Sequence, residues 1–168
     1  VGYFGSRHVD KWAALDDVEL AYVVDRDGDL ARKIARKHGA LPATDCAEIA
    51  GKVDVASVAV PTQHHFGVAS ALLDAGIHVL VEKPIANNLD DAGRMHRACL
   101  DAKVRLTVNY SFRYLGKVRK AKQLVMDGAL GEIVGIQIIN HQFKDPGYWT
   151  GARSNSPDDW RASRDKCG

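Results

Sequence analysis

Four short runs of apolar, largely β-branched residues recur along the first 110 positions. They are VELAYVV at 18–24, VDVASVAV at 53–60, IHVLV at 77–81 and VRLTV at 104–108. Each is nearly continuous rather than alternating, the pattern of a strand buried on both faces. Segments 6–15, 29–38, 64–75 and 89–102 instead place apolar residues three and four apart, which predicts amphipathic helices. Gly39 and Gly76 follow two of them, where a left-handed helix-ending residue is favoured. Asn88, with Asp91 three positions on, is a cap for a third. The connection at 41–50 holds one brief strand and one helical turn. Strand alternating with helix predicts right-handed βαβ units and a doubly wound parallel sheet of the α/β class.

The pattern changes near residue 110. Segment 113–126 has helical periodicity and a basic face of Lys117, Arg119, Lys120 and Lys122, the ordinary composition of a solvated helix face. Asp127-Gly128 and Gly131 break it. Segment 132–143 (EIVGIQIINHQF) then alternates like a long strand with one wet face. The chain is therefore expected to divide into a parallel α/β unit over 1–111 and the start of an α+β unit with an antiparallel sheet over 112–168.

Composition narrows the partners. The 168 residues include 23 Lys+Arg against 21 Asp+Glu, a net charge of +2, with 46% apolar residues. That apolar content excludes whole-chain disorder, and near-balanced charge without blocks of one sign argues against a nucleic-acid partner. The longest stretch free of Asp, Glu, Lys and Arg, 55–73, contains Pro61, His64 and His65, so it is no membrane-spanning helix. Cys46, Cys99 and Cys167 are an odd, widely spaced set, which points to no disulfide framework, no metal site and a reducing cytoplasm. Val1 stands where a start methionine would, and the length is expected to be a window on a larger protein.

Two features near the start carry chemistry. Gly2-Tyr3-Phe4-Gly5 leads directly into a helix, and Asp25 ends the following strand, 20 residues beyond Gly5. These match the second and third glycines of GxGxxG and the acid that follows it in dinucleotide-binding folds. Glycine allows close approach to a pyrophosphate, the helix N-terminus supplies N–H groups, and the carboxylate accepts from ribose hydroxyls. Half of this motif also describes a common turn followed by a helix-capping Asp. Asp25 favours NAD over NADP by repelling a 2′-phosphate, and Arg26 offsets part of that repulsion, leaving NADP open.

The segment 58–84, VAVPTQHHFGVASALLDAGIHVLVEKP, resembles the glucose–fructose oxidoreductase/inositol dehydrogenase (Gfo/Idh/MocA) family. Pro61, His65 four residues later and Glu82-Lys83-Pro84 stand at that family's spacing, and the resemblance runs from the glycine turn to Trp160-Arg161. It implies an NAD(P)-binding Rossmann fold in which Gly2, Tyr3, Phe4, Gly5, Asp25, Arg26, Pro61, His65, Glu82 and Lys83 serve the cofactor. Lys83 is the implied catalytic residue, contacting nicotinamide ribose and substrate. By its position alone, Lys83 ends a parallel strand, where open α/β sheets present ligand groups, and it can donate to a sugar hydroxyl and assist its deprotonation. A surface lysine before a strand-ending proline has the same local sequence. His65 and His8 read either as satisfied structural histidines or as cofactor-side groups; His64 has no family counterpart. Arg113 either orients substrate or pins a domain junction, while Trp160 and Arg161 resemble a pair near the substrate cleft, just before a turn opening at Cys167-Gly168.

The resemblance also implies what lies elsewhere. A first strand and first glycine should precede Val1, and a paired acid and histidine should follow Gly168 to complete the proton-transfer set with Lys83. Without a central strand, facing sheet edges should stay unpaired, so this stretch alone is expected to fold poorly and turn over no sugar. The expected activity is hydride transfer between a hydroxyl carbon of a sugar, polyol or nucleotide sugar and nicotinamide, by a homo-oligomer assembled through the C-terminal sheet. The wording around Ala59-Val60-Pro61-Thr62 and Glu82-Lys83-Pro84 is similar to nucleotide-sugar 3-dehydrogenases of the family. The alternative is a catalytically silent NAD(P)-binding regulator of the same fold. Relatives of dihydrodipicolinate reductase or homoserine dehydrogenase fit less well, given Glu82-Lys83-Pro84.

Overall fold

The computed structural model describes residues 1–144 and 146–149. Helices and strands alternate through residue 109: α1 (Tyr3–Trp12), β1 (Tyr22–Val24), α2 (Gly28–His38), β2 (Leu41–Ala43), β3 (Val55–Val58), α3 (His65–Asp74), β4 (His78–Glu82), α4 (Leu89–Asp101) and β5 (Leu106–Asn109). Single 3-10 turns at Cys46–Ile49, Thr62–His64 and Ser111–Tyr114 lie between or after them. A further helix, α5 (Gly116–Met126), and a short α6 (Pro146–Trp149) complete the described elements.

Every strand pairing is parallel. Tyr22 lies opposite Leu41 in one ladder; Val55 faces His78 and Val79 faces Leu106 in the other. The order is β1–β2 in one sheet and β3–β4–β5 in the second, with no ladder joining them. β1 and β3 instead line a common cleft. The strand expected at 18–24 contracts to Tyr22–Val24, because only those three residues find ladder partners in β2.

Two cores result. The larger gathers Val58, Val79 and Val81 from the strands with Leu72, Leu73 and Ile77 of and just after α3, and Met95 and Cys99 of α4. β4 is its centre, with Val79 and Val81 buried while its neighbours on both sides hydrogen-bond to it. Each such side chain removed from water contributes about 1.5–3 kcal/mol. The smaller core joins Val9 of α1, Val23 of β1 and Ala35 of α2, with Val1, Leu20, Ile34 and Ala40 packed around them.

Local signals explain the helix ends. Asp27 caps α2 by accepting from the Asp29 and Leu30 N–H groups at 3.0 and 3.1 Å, and Gly39 closes it at φ +72°. Asn88 caps α4, accepting from the Asp91 N–H at 2.8 Å. The 41–50 connection contains β2 and the Cys46–Ile49 turn, the latter held by a reciprocal Asp45–Glu48 capping box.

Past residue 110 the chain leaves the core. α5 buries none of its residues, and its recorded packing is against the Ser111–Tyr114 turn. The strand expected at 132–143 does not form a ladder. Val134, Ile136 and Ile138 are 96%, 78% and 85% exposed, and no described residue pairs with that segment. Alternation makes a segment fit for a sheet, but a strand exists only through its neighbour's hydrogen bonds. Trp160, Arg161 and Cys167-Gly168 lie outside the described residues.

Candidate functional site

The C-terminal ends of the parallel strands converge on one cleft of about 1500 Å³. That exceeds the roughly 300–1,000 Å³ of an ordinary ligand pocket. The excess arises because the cleft continues into the open slot between β1 and β3, whose residues line its two banks. Gly2, Tyr3, Phe4, Gly5, Asp25, Arg26, Pro61, His65, Glu82 and Lys83 all line it, bringing together every position expected to serve a cofactor.

The glycine turn has two different constraints. α1 begins at Tyr3, earlier than its periodicity suggests, so Gly5 sits inside the first turn and Gly2 is the cap. A Cβ at Gly5 would lie 2.8 Å from Val1 Cγ1 and 3.9 Å from Ala59 Cβ, so any side chain there requires the Val1 side chain to shift. A Cβ at Gly2 would meet no protein atom within 4 Å. No side chain caps α1, and no acid stands in its first turn. A helix N-terminus with unopposed N–H groups, bordered by an unfilled glycine face, fits the phosphates of a dinucleotide. Tyr3 and Phe4 are half exposed in edge-to-face contact, with the Arg7 guanidinium 4.7 Å from the Tyr3 ring centroid.

Asp25 follows β1 at the cleft rim. It is not the α2 cap, a role taken by Asp27, which the sequence reading passed over. Its carboxylate accepts from the Asp27 N–H at 2.9 Å and pairs with the Val1 amino group. Arg26 is exposed beside it.

On the other bank, Glu82 is the best-connected polar side chain. Its Oε1 accepts from His8 Nε2 of α1 at 2.9 Å and from Asn109 Nδ2 of β5 at 2.6 Å. Its Oε2 receives the Lys83 N–H at 3.3 Å. Both His8 and Glu82 side chains are largely buried. Burial pushes the Glu82 carboxyl up, but the His8 and Asn109 hydrogen bonds, the His8 charge and the Lys83 N–H together outweigh it, holding it below the usual carboxylate range. The glutamate thus ties α1, β4 and β5 at the site while the Lys83 side chain stays exposed at the cleft.

His65 is 1% exposed and begins α3. Its Nδ1 meets the Pro84 carbonyl at 2.8 Å and its Nε2 the Val60 carbonyl at 2.9 Å, so no ring nitrogen is left for a cofactor. The structural reading of His65 therefore describes its contacts. His8 likewise turns to Glu82. His64 stays half-buried at the cleft with Gln63 Nε2 at 3.1 Å from its ring. Arg113 lies exposed in the Ser111–Tyr114 turn and is not among the cleft-lining residues. Asn109 was missed as a site residue; its signal was positional, the last residue of β5 at the sheet edge that carries Lys83. Among the described residues no group of His, Cys, Asp or Glu could hold a metal ion, and no helix is long and apolar enough to cross a membrane.

Relatives agree with this geometry. The profile of the oxidoreductase family with an NAD-binding Rossmann fold matches residues 1–110. The 4-carboxy-2-hydroxymuconate-6-semialdehyde dehydrogenase of a Sphingobium species is 33% identical over 116 residues, covering 67% of this chain and 37% of that protein. The UDP-N-acetylglucosamine 3-dehydrogenase of Acidithiobacillus ferrooxidans is 35% identical over 94 residues, covering 55% and 29%. Among solved structures, the WlbA dehydrogenase from Bordetella pertussis, in complex with NADH and UDP-GlcNAcA, superposes with a TM-score of 0.72 at 28% identity, covering 77% of this chain and 41% of that one. The chain thus spans less than half the length of these relatives. With the parallel strand ends, the glycine turn and Glu82-Lys83-Pro84 gathered at one cleft, and a family match over residues 1–110, the chain belongs to the Gfo/Idh/MocA oxidoreductase family.

Proposed function

We propose that this chain is the cofactor-binding part of a cytoplasmic dehydrogenase that moves a hydride between a hydroxyl-bearing carbon and NAD, with NADP as a second cofactor. The substrate class is a sugar, polyol or nucleotide sugar. Residues 1–111 bind the dinucleotide, and the chain from 112 onward begins the substrate unit. The observation that carries this reading is the convergence of Gly2, Asp25, Glu82 and Lys83 on one cleft at the C-terminal ends of parallel strands. The relatives named above, a nucleotide-sugar dehydrogenase among them, support the substrate class. The free Cys46 and Cys99 support a reducing compartment.

When bound, NAD supplies the hydride acceptor. The chain's own residues then divide the work. The α1 N-terminus and Gly2 receive phosphates, and Asp25 accepts from ribose hydroxyls, disfavouring a 2′-phosphate. Lys83, exposed beside the anchored Glu82, would donate from its ammonium to the substrate oxygen and stabilise the negative charge that grows as the hydroxyl proton passes to solvent.

The test is NADH and NADPH binding by fluorescence, followed by turnover of a sugar and nucleotide-sugar panel by the whole dehydrogenase that contains this chain and by its Lys83→Ala variant. NADH should bind more tightly than NADPH. Lys83→Ala should cost about 10²- to 10⁴-fold in kcat, the usual scale for a general acid–base group, with NADH still bound. Failure to bind either nucleotide overturns the proposal. Binding without turnover of any member of the panel would identify a cofactor-binding regulator instead.

A further inference from the structure

The main chain of Lys83 is held on both sides by elements that are distant in sequence. On the N-terminal side, Glu82 is fixed by His8 of α1 and Asn109 of β5 at 2.9 and 2.6 Å. On the C-terminal side, the Pro84 carbonyl is met by His65 at 2.8 Å, and the other nitrogen of the same ring meets Val60 at 2.9 Å. Val60 follows β3 and Pro84 follows β4, so one ring spans the exits of two adjacent strands. Both partners are carbonyl oxygens, which only accept, so the ring donates to one of them and lies against the other, the choice depending on the tautomer. A buried ring held in this way is costly to move, because any shift leaves a desolvated polar group unpaired.

We propose that His65 is a positioning residue for Lys83: lodged between the Val60 and Pro84 carbonyls, it fixes the exit of β4 against the exit of β3 and so sets where Lys83 enters the cleft. This rests on the reading of Lys83 given above. His65 needs no contact with substrate or cofactor. It acts through the main chain of Lys83 itself, the single residue between its Pro84 anchor and the anchored Glu82. The side chain of Lys83 remains free to reach into the cleft while its root cannot drift. A displacement of about 1 Å at a reacting group can cost about 10²-fold in rate, which is the scale on which such a clamp acts.

The experiment measures kcat, KM and NADH affinity in the whole dehydrogenase that contains this chain, for His65→Ala, His65→Asn, Lys83→Ala and the double variant His65→Ala/Lys83→Ala. His65→Ala should lower kcat by about 10²-fold while KM and NADH affinity move by less than about threefold, and it should add nothing in the Lys83→Ala background. His65→Asn, which keeps an N–H donor, should recover part of the rate. A folded His65→Ala protein with wild-type kcat, or a loss that multiplies with that of Lys83→Ala, overturns the proposal. If Lys83→Ala alone keeps full turnover, the reading of Lys83 itself has failed, a result separable from failure at His65.

Discussion

Trp12 and Ser57 are joined by a 2.7 Å hydrogen bond from the indole Nε1 to the serine hydroxyl, which fastens α1 to β3 at the wall of the cleft. The helix is also tied to β4 through His8 and Glu82, and to α2 through Asp10, which lies 3.3 Å from both Lys37 Nζ and His38 Nε2. α1 is thus bonded to two strands of the three-stranded sheet and to the helix that packs on the two-stranded one.

Ser57→Ala removes the acceptor and leaves a part-buried indole N–H unpaired. Stability should fall by about 1–2 kcal/mol in urea unfolding, at unchanged slope. The tryptophan emission should change with it. An unchanged midpoint would mean that water replaces the hydroxyl at no cost and that α1 is not held there.

Acid should undo the Glu82 anchor in a definite window. Its folded-state carboxyl is depressed by His8, Asn109 and the Lys83 N–H despite the upward push of burial. A depressed carboxyl stabilises fully above its unfolded value, roughly 4.3, and that contribution is lost as pH falls through the lower folded value. Glu82→Gln should therefore melt below wild type at neutral pH, with the gap closing below about pH 4. Thermal melts of the pair across pH 3 to 7 check this; a constant gap would contradict it.

The two glycines of the turn should separate folding from binding. Gly5→Ala drives a methyl to 2.8 Å from Val1 and should cost about 1–3 kcal/mol of stability as well as NADH affinity. Gly2→Ala meets no protein atom within 4 Å and should leave the melt nearly unchanged while weakening NADH binding. Equal effects of the two on both readouts would contradict the placement of the phosphates over Gly2.

The parallel core was legible because β-branched runs and 3.6-residue periodicity both depend on burial, and Val58, Leu72, Leu73, Val79, Val81 and Met95 are buried as those patterns require. Asp25, Pro61 and Glu82-Lys83 were legible for a related reason: strand ends announce themselves where apolar runs stop. The clamp was not. His8, His65 and Asn109 are separated by 57 and 44 positions, and nothing local says that one ring will meet two carbonyls or that a glutamate will gather donors from two elements. The alternation at 132–143 is fit for pairing, but no described residue supplies its neighbour.

No ladder joins β1 to β3 among the described residues, yet the two sheets share an interior. Ala43 of β2 is buried in one cluster with Val58, Leu72 and Val79, and Tyr22 and Val24 of β1 pack against it. Cooperativity passes through shared interiors as well as shared ladders. The bank that carries Asp25 and the bank that carries Lys83 should therefore melt together, and a ligand gripping both should raise one transition.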